Sequence, residues 1–378
     1  MRWGCALTTY HPASWSHQEV FARSLEFARV AEALGFADVW LFEHHFTEYG
    51  LCPNALMMAA YILGHTQRIR AGTAVIVAPF EHPIRLAEQI AMVDQLSNGR
   101  MMPGFGRGVF AKDFETFGVD STRSHAMMRE WIDIQIAAWT HESVSWKSDL
   151  IQFEDVSVKP ETFSKPYPPI YVVAESGSTI EFAASRGIPV IMIIRKPLDR
   201  MRASIELYAD VAISHGHDPS RIRHAIATPT HVADTHESAV AEIVDSVTEW
   251  HEAGGRSAFT TEQLRTLPNY RFQWSQFQDA ILGGARSARD IVKQALSVAP
   301  VGSPQECIAK IEELREVTGV DHFILGFEGS KQRENIIASM TRFAEEVAPK
   351  LEVETEPPGS VRRPAHEQQQ QLTVNAAR

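Results

Sequence analysis

Polar side chains that could perform chemistry follow several of the apolar, strand-like runs in this 378-residue sequence. Glu43-His44-His45 follows the second run, and imidazole titrates near neutral pH, so a histidine beside a carboxylate could act as a general acid or base. A metal site is less favoured, because adjacent residues at a strand end point to opposite sides and cannot easily bind one ion together. A plain backbone hydrogen bond from one histidine is the third possibility.

Two other segments could hold an anion. Residues 104–108 read Gly-Phe-Gly-Arg-Gly, which fails as a dinucleotide-binding fingerprint but would let backbone approach a flat ligand while Arg107 binds a negative charge. Ser176 and Thr179 open a predicted helix, where free amides and hydroxyls suit a phosphate. A plain serine N-cap would explain Ser176 equally well. Taken together, the two segments favour a phosphate clamp, and the lack of a P-loop or Rossmann turn favours FMN over ATP or NAD.

Alternating strand-like and helix-like segments must position these residues. The first unit places a strand at residues 3–8 before a helix that starts with a capping box, Ser16 to Glu19, and ends at Gly35. Later units repeat this order and give eight strand–helix pairs, with a probable hairpin over residues 144–158. We therefore predict an α/β fold, a (β/α)8 TIM barrel over residues 1–351, with its active site at the carboxyl ends of the strands.

Two regions depart from this pattern. Residues 254–289 are rich in aromatic side chains and have a Gly-Gly pair near each end, which is typical of a mobile lid or substrate loop before the last strand. An extra helix packed under the barrel is the alternative. Residues 352–378 are rich in Glu, Pro, Arg and Gln, so we predict a disordered tail without a catalytic role.

Composition excludes several classes of function. The formal net charge is −11, which disfavours nucleic acids and anionic membranes as partners because their phosphates would be repelled. The three cysteines, Cys5, Cys52 and Cys307, are widely spaced and predict free thiols in a reducing compartment rather than disulfides. With no signal-peptide layout at the N-terminus and no apolar run of about 20 residues, we expect a cytoplasmic protein.

At these same positions the sequence resembles the bacterial luciferase alpha subunit and the wider luciferase-like monooxygenase family. The resemblance runs from about residue 2 to residue 351 and is strongest at strand ends. The shared phrases are Glu43-His44-His45-Phe46-Thr47-Glu48, Val172-Val173-Ala174-Glu175-Ser176, Pro300-Val301-Gly302 and Ile336-Ile337-Ala338-Ser339-Met340. The stretch His82-Pro83-Ile84-Arg85, with Ala87-Glu88-Gln89, Asp94-Gln95 and Gly99-Arg100, is similar to the wider superfamily.

The resemblance implies a role for each matching residue. His44 would lie beside the reactive flavin carbon as the acid–base group. The implied cofactor contacts are Arg107, Ser176 and Thr179 on the phosphate, the backbone of Glu175 next to them, and Gly106 and a non-prolyl cis peptide between Ala74 and Val75 near the ring. The implied substrate, lid or interface contacts are His45, Asp113, Ile194, Trp250 and Arg286.

The resemblance also implies a reaction. Free reduced FMN, delivered by a separate flavin reductase, would react with O2 to give a C4a-(hydro)peroxyflavin that must be shielded from water. The product would be an oxygenated aldehyde, ketone or other apolar organic molecule. Two alternatives are an F420-dependent oxidoreductase, disfavoured because few basic residues beyond Arg107 are visible near the clamp, and a noncatalytic flavin-binding partner subunit. We also expect a homodimer, or a heterodimer with a homologous chain, in which Ala55, Ala59 and Ala60 allow close helix approach.

Several positions depart from the luciferase pattern. Gly106 stands where the alpha subunit has a reactive cysteine, and Ile194 replaces a tryptophan of the signature that includes Tyr208 and Ala212. Gly283 and Arg286 stand where the mobile loop carries lysines. These changes imply a different substrate and oxygenation without light.

Overall fold

The barrel wall is built from short, mostly buried strands in a computed structural model that describes residues 1–194, 197–258 and 287–351. The strands are β1 (Arg2–Leu7), β2 (Asp38–Leu41), β3 (Arg70–Thr73), β4 (Ile76–Val77), β5 (Met101–Met102), β6 (Gly104–Gly106), β7 (Val144–Lys147), β8 (Gln152–Val156), β9 (Tyr171–Val173), β10 (Val190–Ile193), β11 (Ala225–Pro229), β12 (His231–Val232), β13 (Val301–Gly302) and β14 (His322–Gly326). Ten of these described segments form one parallel sheet in the order β4-β6-β9-β10-β11-β14-β1-β2-β3-β5.

The two ends of that order meet, so the sheet closes. β3 and β4 are halves of one strand, separated by a cis peptide between Ala74 and Val75, and β5 and β6 are halves of another, separated by Pro103. β3 pairs with β5, and β4 pairs with β6, in parallel register. The ten segments therefore occupy eight positions around a ring, which confirms the predicted (β/α)8 barrel.

The helices surround this ring. They are α1 (His17–Ala33), α2 (Ala55–Gly64), α3 (Pro83–Ser97), α4 (Ala111–Phe117), α5 (Ser124–Thr140), α6 (Gly177–Ala184), α7 (Leu198–Ser214), α8 (His236–Ala258), α9 (Ala288–Val298), α10 (Pro304–Thr318) and α11 (Arg333–Arg342). The predicted capping box is present, because Ser16 accepts from the Glu19 amide and the Glu19 side chain accepts from the Ser16 amide. The predicted hairpin is also confirmed, as β7 and β8 pair antiparallel.

Side chains separate into an inner and an outer layer. Alternation along β2 sends Asp38 and Trp40 into the barrel, and sends Val39 and Leu41 into the larger apolar cluster between sheet and helices. Gly72 leaves room for the Trp40 ring, since a Cβ there would lie 2.4 Å from Trp40 Cε3. The inner layer therefore depends on small residues beside large ones.

Two predicted boundaries were wrong. The stretch after Gly108, expected to be a long loop, contains the helix α4. α8 continues through the Gly254-Gly255 pair to Ala258, so this pair does not begin the predicted lid. The rest of that segment up to Arg286, and the predicted tail at 352–378, lie outside the described residues.

The proposed role of small residues in a dimer interface was also wrong for two positions. Ala55 and Ala59 are fully buried within the chain's own core, because they are on the side of α2 that packs against the barrel. No helix in the described ranges is both long and apolar enough to cross a membrane.

Candidate active site at the barrel mouth

The upper end of the barrel interior is an apolar floor. Phe42, Ala74, Val173 and Ile193 lie at or just after the carboxyl ends of four strands, and all four pack on the inner cluster while remaining partly accessible. Floors of this kind in barrel enzymes face the loops that carry the active site. The mouth therefore offers a flat, apolar surface.

His44 lies at the edge of this mouth, on the connection between β2 and α2. Its backbone N–H donates to the carbonyl oxygen of Cys52 at 3.0 Å, which fixes the loop. Its ring packs edge-on against Tyr49, with centroids 4.7 Å apart, and stacks with Phe110 at 5.2 Å. The imidazole is half-buried and lines a cavity, so an aromatic cluster holds its orientation while one side stays accessible.

Trp250 supports this cluster from α8. Its ring stacks on Tyr49 with centroids 4.6 Å apart, and its Nε1 donates to the Tyr49 carbonyl oxygen at 3.0 Å. The helix that leads into the undescribed segment is thereby tied to the residue that supports His44. The sequence pattern indicated only a weak role for Trp250 and gave no signal for Tyr49.

Behind His44, several carboxyl groups surround His45. Glu43 accepts the amide N–H groups of Ala55 and Val77 at 3.1 and 3.0 Å, and its Oε1 lies 3.6 Å from His45 Nε2. The Asp113 side chain is buried on α4. Burial raises the pKa of Asp113 to about 6; His45 opposes this shift and Glu43 adds to it.

Two further carboxyl groups near the mouth also have raised pKa values. Burial, with a contribution from Glu43, raises the pKa of Glu81. Burial also raises the pKa of Glu328, which follows β14, although its carboxylate accepts hydrogen bonds from the backbone N–H and the hydroxyl of Thr8. The mouth thus holds acidic groups that favour a bound proton more than usual.

The opposite side of the mouth is a set of hydrogen-bond donors. Ser176 caps α6, and its Oγ lies 3.0 Å from Thr179 Oγ1 and 3.3 Å from Ser178 Oγ. This N-cap role confirms the simpler of the two sequence interpretations for Ser176. The three hydroxyls nevertheless converge at the start of a helix, where backbone N–H groups and the helix dipole favour an anion.

Sequence reasoning missed two basic residues beside this helix start. Arg129 Nη2, from α5, donates to the Ser178 carbonyl oxygen at 2.7 Å. Burial lowers the pKa of His125 to about 4, and the nearby Arg107 and Arg129 guanidiniums add to the effect, which places all three side chains together. His125 Nδ1 is buried without a hydrogen-bond partner among the described residues. Their i, i+4 spacing on a helix gave no strand-end signal, so neither residue was predicted to accompany Arg107.

Close backbone approach explains the glycines of this region. A Cβ at Gly106 would lie 2.7 Å from Val75 Cγ2, and one at Gly104 would lie 2.0 Å from the Thr73 carbonyl oxygen. Val75, on the far side of the cis peptide, thus fills the space that a side chain at 106 would need. The cis peptide expected between Ala74 and Val75 is present.

The remaining predicted residues lie in different surroundings. Ile194 is buried in the cluster between sheet and helices, and its neighbour Ile193 is the residue that faces the mouth. Glu175 precedes the Ser176 cap and is half-buried. Arg286 lies outside the described residues.

A cavity of about 610 Å³ opens beside His44. Its described lining includes His44 together with His17, Phe46, Glu48 and Leu51. Arg107 and Ser176 are not among its described lining residues.

Comparison with known proteins places this arrangement in a family. Residues 1–322 match the model of the luciferase-like monooxygenase family. The alkanal monooxygenase alpha chain of the Kryptophanaron alfredi symbiont is 35% identical over 93% of this chain and 98% of its own length. The corresponding chain of Photorhabdus laumondii is 36% identical over the same shares.

Solved structures show the same fold. Monooxygenase RslO1 from Streptomyces bottropensis superposes with a TM-score of 0.78 at 26% identity, covering 93% of this chain and 99% of that one. The oxygenating constituent of 3,6-diketocamphane monooxygenase from Pseudomonas putida, solved with FMN, gives 0.74 at 21% identity, covering 94% and 99%. The protein described here belongs to the luciferase-like monooxygenase family.

Proposed function

We propose that the protein is a two-component flavin monooxygenase that uses reduced FMN and O2 to oxygenate an aldehyde, ketone or other apolar substrate without emitting light. The observation that carries the proposal is the layout of the mouth. An apolar floor at Phe42, Ala74, Val173 and Ile193 lies between a donor set on one side and His44 on the other. This combination fits a flat ring with a terminal phosphate.

The donor set fits a phosphomonoester. Ser176 and Thr179 supply hydroxyls, and Arg107, His125 and Arg129 lie together beside them. The buried, unpartnered Nδ1 of His125 is a polar atom that a phosphate oxygen could satisfy. Neutral His125 can donate one hydrogen bond, and the two guanidiniums supply the positive charge that the anion needs.

Each residue has a task in this proposal. Arg107, Arg129, Ser176 and Thr179 would hold the phosphate, and the floor would hold the ring. Bound reduced FMN would activate dioxygen, and the protein would position the reactants and exclude water. His44, oriented by Tyr49 and Phe110, would hold or move a proton at the edge of the ring.

The assay that tests the proposal uses the full chain, a flavin reductase, NADH, FMN and O2 with a panel of aldehydes and ketones. Oxygenated product is scored by mass spectrometry and light by photon counting. We expect product with at least one apolar carbonyl compound and no photons above the reductase-only background. Because Arg129 adds positive charge to the clamp, reduced F420 is included as a competing cofactor; turnover with F420 alone would replace the proposal by the F420 alternative.

We further propose that a second copy of the chain covers one face of α2 and α3. Large apolar side chains are exposed on this face, with Met57 at 72% and Leu96 at 70% exposure, and Tyr61 and Met92 beside them. Exposed apolar patches of this kind mark interfaces. Relatives named as alpha chains also imply association with another subunit.

Light scattering on the purified chain tests this proposal. We expect a dimer that Met57→Glu with Leu96→Glu converts to monomer, because two charges cannot be buried unpaired in an apolar interface. Ile213→Glu, which alters an exposed apolar residue on α7, is the control and should remain dimeric. A wild-type monomer at all concentrations would contradict self-association and leave a homologous chain as the partner.

A further inference from the structure

Two histidines and a carboxylate, none of them among the predicted site residues, converge beside the cavity that His44 lines. His11 follows β1, His17 is the first residue of α1, and Glu48 lies between β2 and α2. One ligand atom from each of the three lies within 4.8 Å of the other two. The His11 and His17 rings are edge to face, with centroids 4.8 Å apart.

The hydrogen bonds of His11 decide what this cluster can hold. His11 Nε2 lies 2.6 Å from the Trp15 carbonyl oxygen, which can only accept, so Nε2 must carry a proton. His11 Nδ1 contacts the Glu48 carboxylate, whose oxygens also only accept. A neutral imidazole would therefore point a lone pair at a carboxylate. A proton shared by the two atoms, or a metal ion bound by both after the side chains separate, would remove this repulsion.

The hydrogen bond of the other ring nitrogen of His11, Nε2, favours a metal ion over a proton. Metal-binding histidines usually donate their other ring N–H to a carbonyl or carboxylate, which orients the ring and fixes the tautomer. The Trp15 carbonyl does this for His11 Nε2. His17 brings a further imidazole that a simple His11–Glu48 ion pair would not need.

Backbone contacts hold the three ligands in place before any ion binds. The His11 amide donates to the Glu48 carbonyl oxygen at 3.3 Å, and the Leu51 amide donates to the Thr9 carbonyl oxygen at 3.0 Å, so the two loops are joined. The Ser16–Glu19 capping box fixes the start of α1 and with it His17. A preformed site loses less entropy when it binds an ion.

We propose that His11, His17 and Glu48 form a Zn²⁺ site, with His11 Nδ1, one His17 nitrogen and a Glu48 carboxylate oxygen as ligands and water in the fourth position. Two imidazoles and one carboxylate are a common three-ligand zinc set that leaves one position open. Bound zinc would link the loop after β1 to the loop after β2. Because His17 and Glu48 line the same cavity as His44, the ion would also lie against that cavity.

Titration of the metal-free, full-length protein with ZnCl2 by calorimetry tests the site without flavin or substrate. We expect one saturable site per chain. His17→Gln and Glu48→Gln should each weaken it at least tenfold, since loss of a supporting contact alone costs about 10–100-fold in metal affinity. His215→Gln, which alters an exposed histidine outside the cluster, is the matched control and should bind as wild type does.

Two further measurements separate the site from scattered surface binding. Zn²⁺ should raise the Tm of wild type and of His215→Gln but not of His17→Gln, because only a site in the folded state stabilises it. Co²⁺ should give the visible absorption of a four-coordinate ion in wild type, and His17→Gln should lose it. Absence of saturable Zn²⁺ binding, or equal affinity in wild type and His17→Gln, would overturn the proposal and leave a His11–Glu48 ion pair. Neither result would bear on the flavin chemistry.

Discussion

Asp38 at the amino end of the barrel strands and Asp113 at the carboxyl end are both buried, at 0% and 5% exposure, yet their pKa values are shifted in opposite directions. Burial opposes ionisation of Asp38, but the charges and hydrogen bonds of His322 and Arg2 outweigh it and hold its pKa well below the usual range. At Asp113, His45 is the one described group that opposes the effect of burial, and burial raises the pKa of Asp113 to about 6. Burial alone therefore does not decide the charge state of a carboxyl group here; its neighbours do.

The two ends consequently serve different purposes. Below the apolar layer, Arg2 Nε donates to Asp38 at 2.6 Å, His322 Nε2 lies 3.0 Å from it, and Trp40 Nε1 donates to it as well. This network satisfies its charges and supports the fold. At the mouth, carboxyl groups with raised pKa values are retained at a cost in stability, which is typical of functional sites.

The largest expected effect is on turnover at the mouth. His44→Ala should lower product formation by about 10²–10⁴-fold, the usual contribution of a general acid–base group, while leaving FMN binding and the Tm close to wild type. Steady-state product formation and flavin titration measure the two parts. His82→Ala, which alters an exposed histidine after the third strand, is the control. Wild-type turnover by His44→Ala would remove the proposed role.

The second-largest expected effect is a loss of stability caused by a mutation at the amino end of the barrel strands. Asp38→Asn should lower the free energy of unfolding by about 3–5 kcal/mol, because it leaves the buried Arg2 charge uncompensated. Urea denaturation at pH 7 measures the change, with the exposed Asp210→Asn as control. A loss below about 1 kcal/mol would show that the network does not support the fold as described.

A smaller effect, a gain rather than a loss in the free energy of unfolding, is expected for Asp113→Asn. Folded Asp113 retains its proton up to about pH 6, whereas an unfolded aspartate loses it near pH 3.9, so wild-type stability falls as pH rises through this window. The asparagine variant cannot show this loss. It should match wild type below about pH 4 and be more stable by about 3 kcal/mol at pH 8, since each unit of pKa difference is worth about 1.4 kcal/mol. Denaturation curves at pH 4 and pH 8 test this; a variant less stable than wild type at pH 8 would contradict it.

The barrel could be predicted from sequence because its periodicity is local. Apolar runs, capping residues and turn glycines occur in the order that a parallel barrel requires, and the predicted hairpin came from the same signals. α4 escaped prediction because its seven residues are too few to show helical periodicity. The Gly254-Gly255 pair was predicted to begin the lid, but α8 continues through it. Packing of α8 against the Tyr49 ring outweighs the low helix propensity of glycine.

The site could be predicted only where its residues follow strands. His44, Arg107, Ser176 and Thr179 were proposed as site residues in this way. Arg129 and Tyr49 were missed because one projects from a helix face and the other from a loop, and only the folded chain brings them to the mouth. Side chains that meet through tertiary packing leave no spacing signal in a single sequence.

The central claim is that the mouth holds a flavin by its phosphate. Anaerobic titration of wild type with reduced FMN and with reduced riboflavin, which lacks the phosphate, tests it most directly. We expect FMN to bind at least tenfold more tightly, since charge-assisted hydrogen bonds contribute about 1.5–3 kcal/mol each. Arg107→Gln and Arg129→Gln should each reduce that ratio toward one by weakening FMN binding alone. Equal affinities of wild type for the two flavins would contradict the claim.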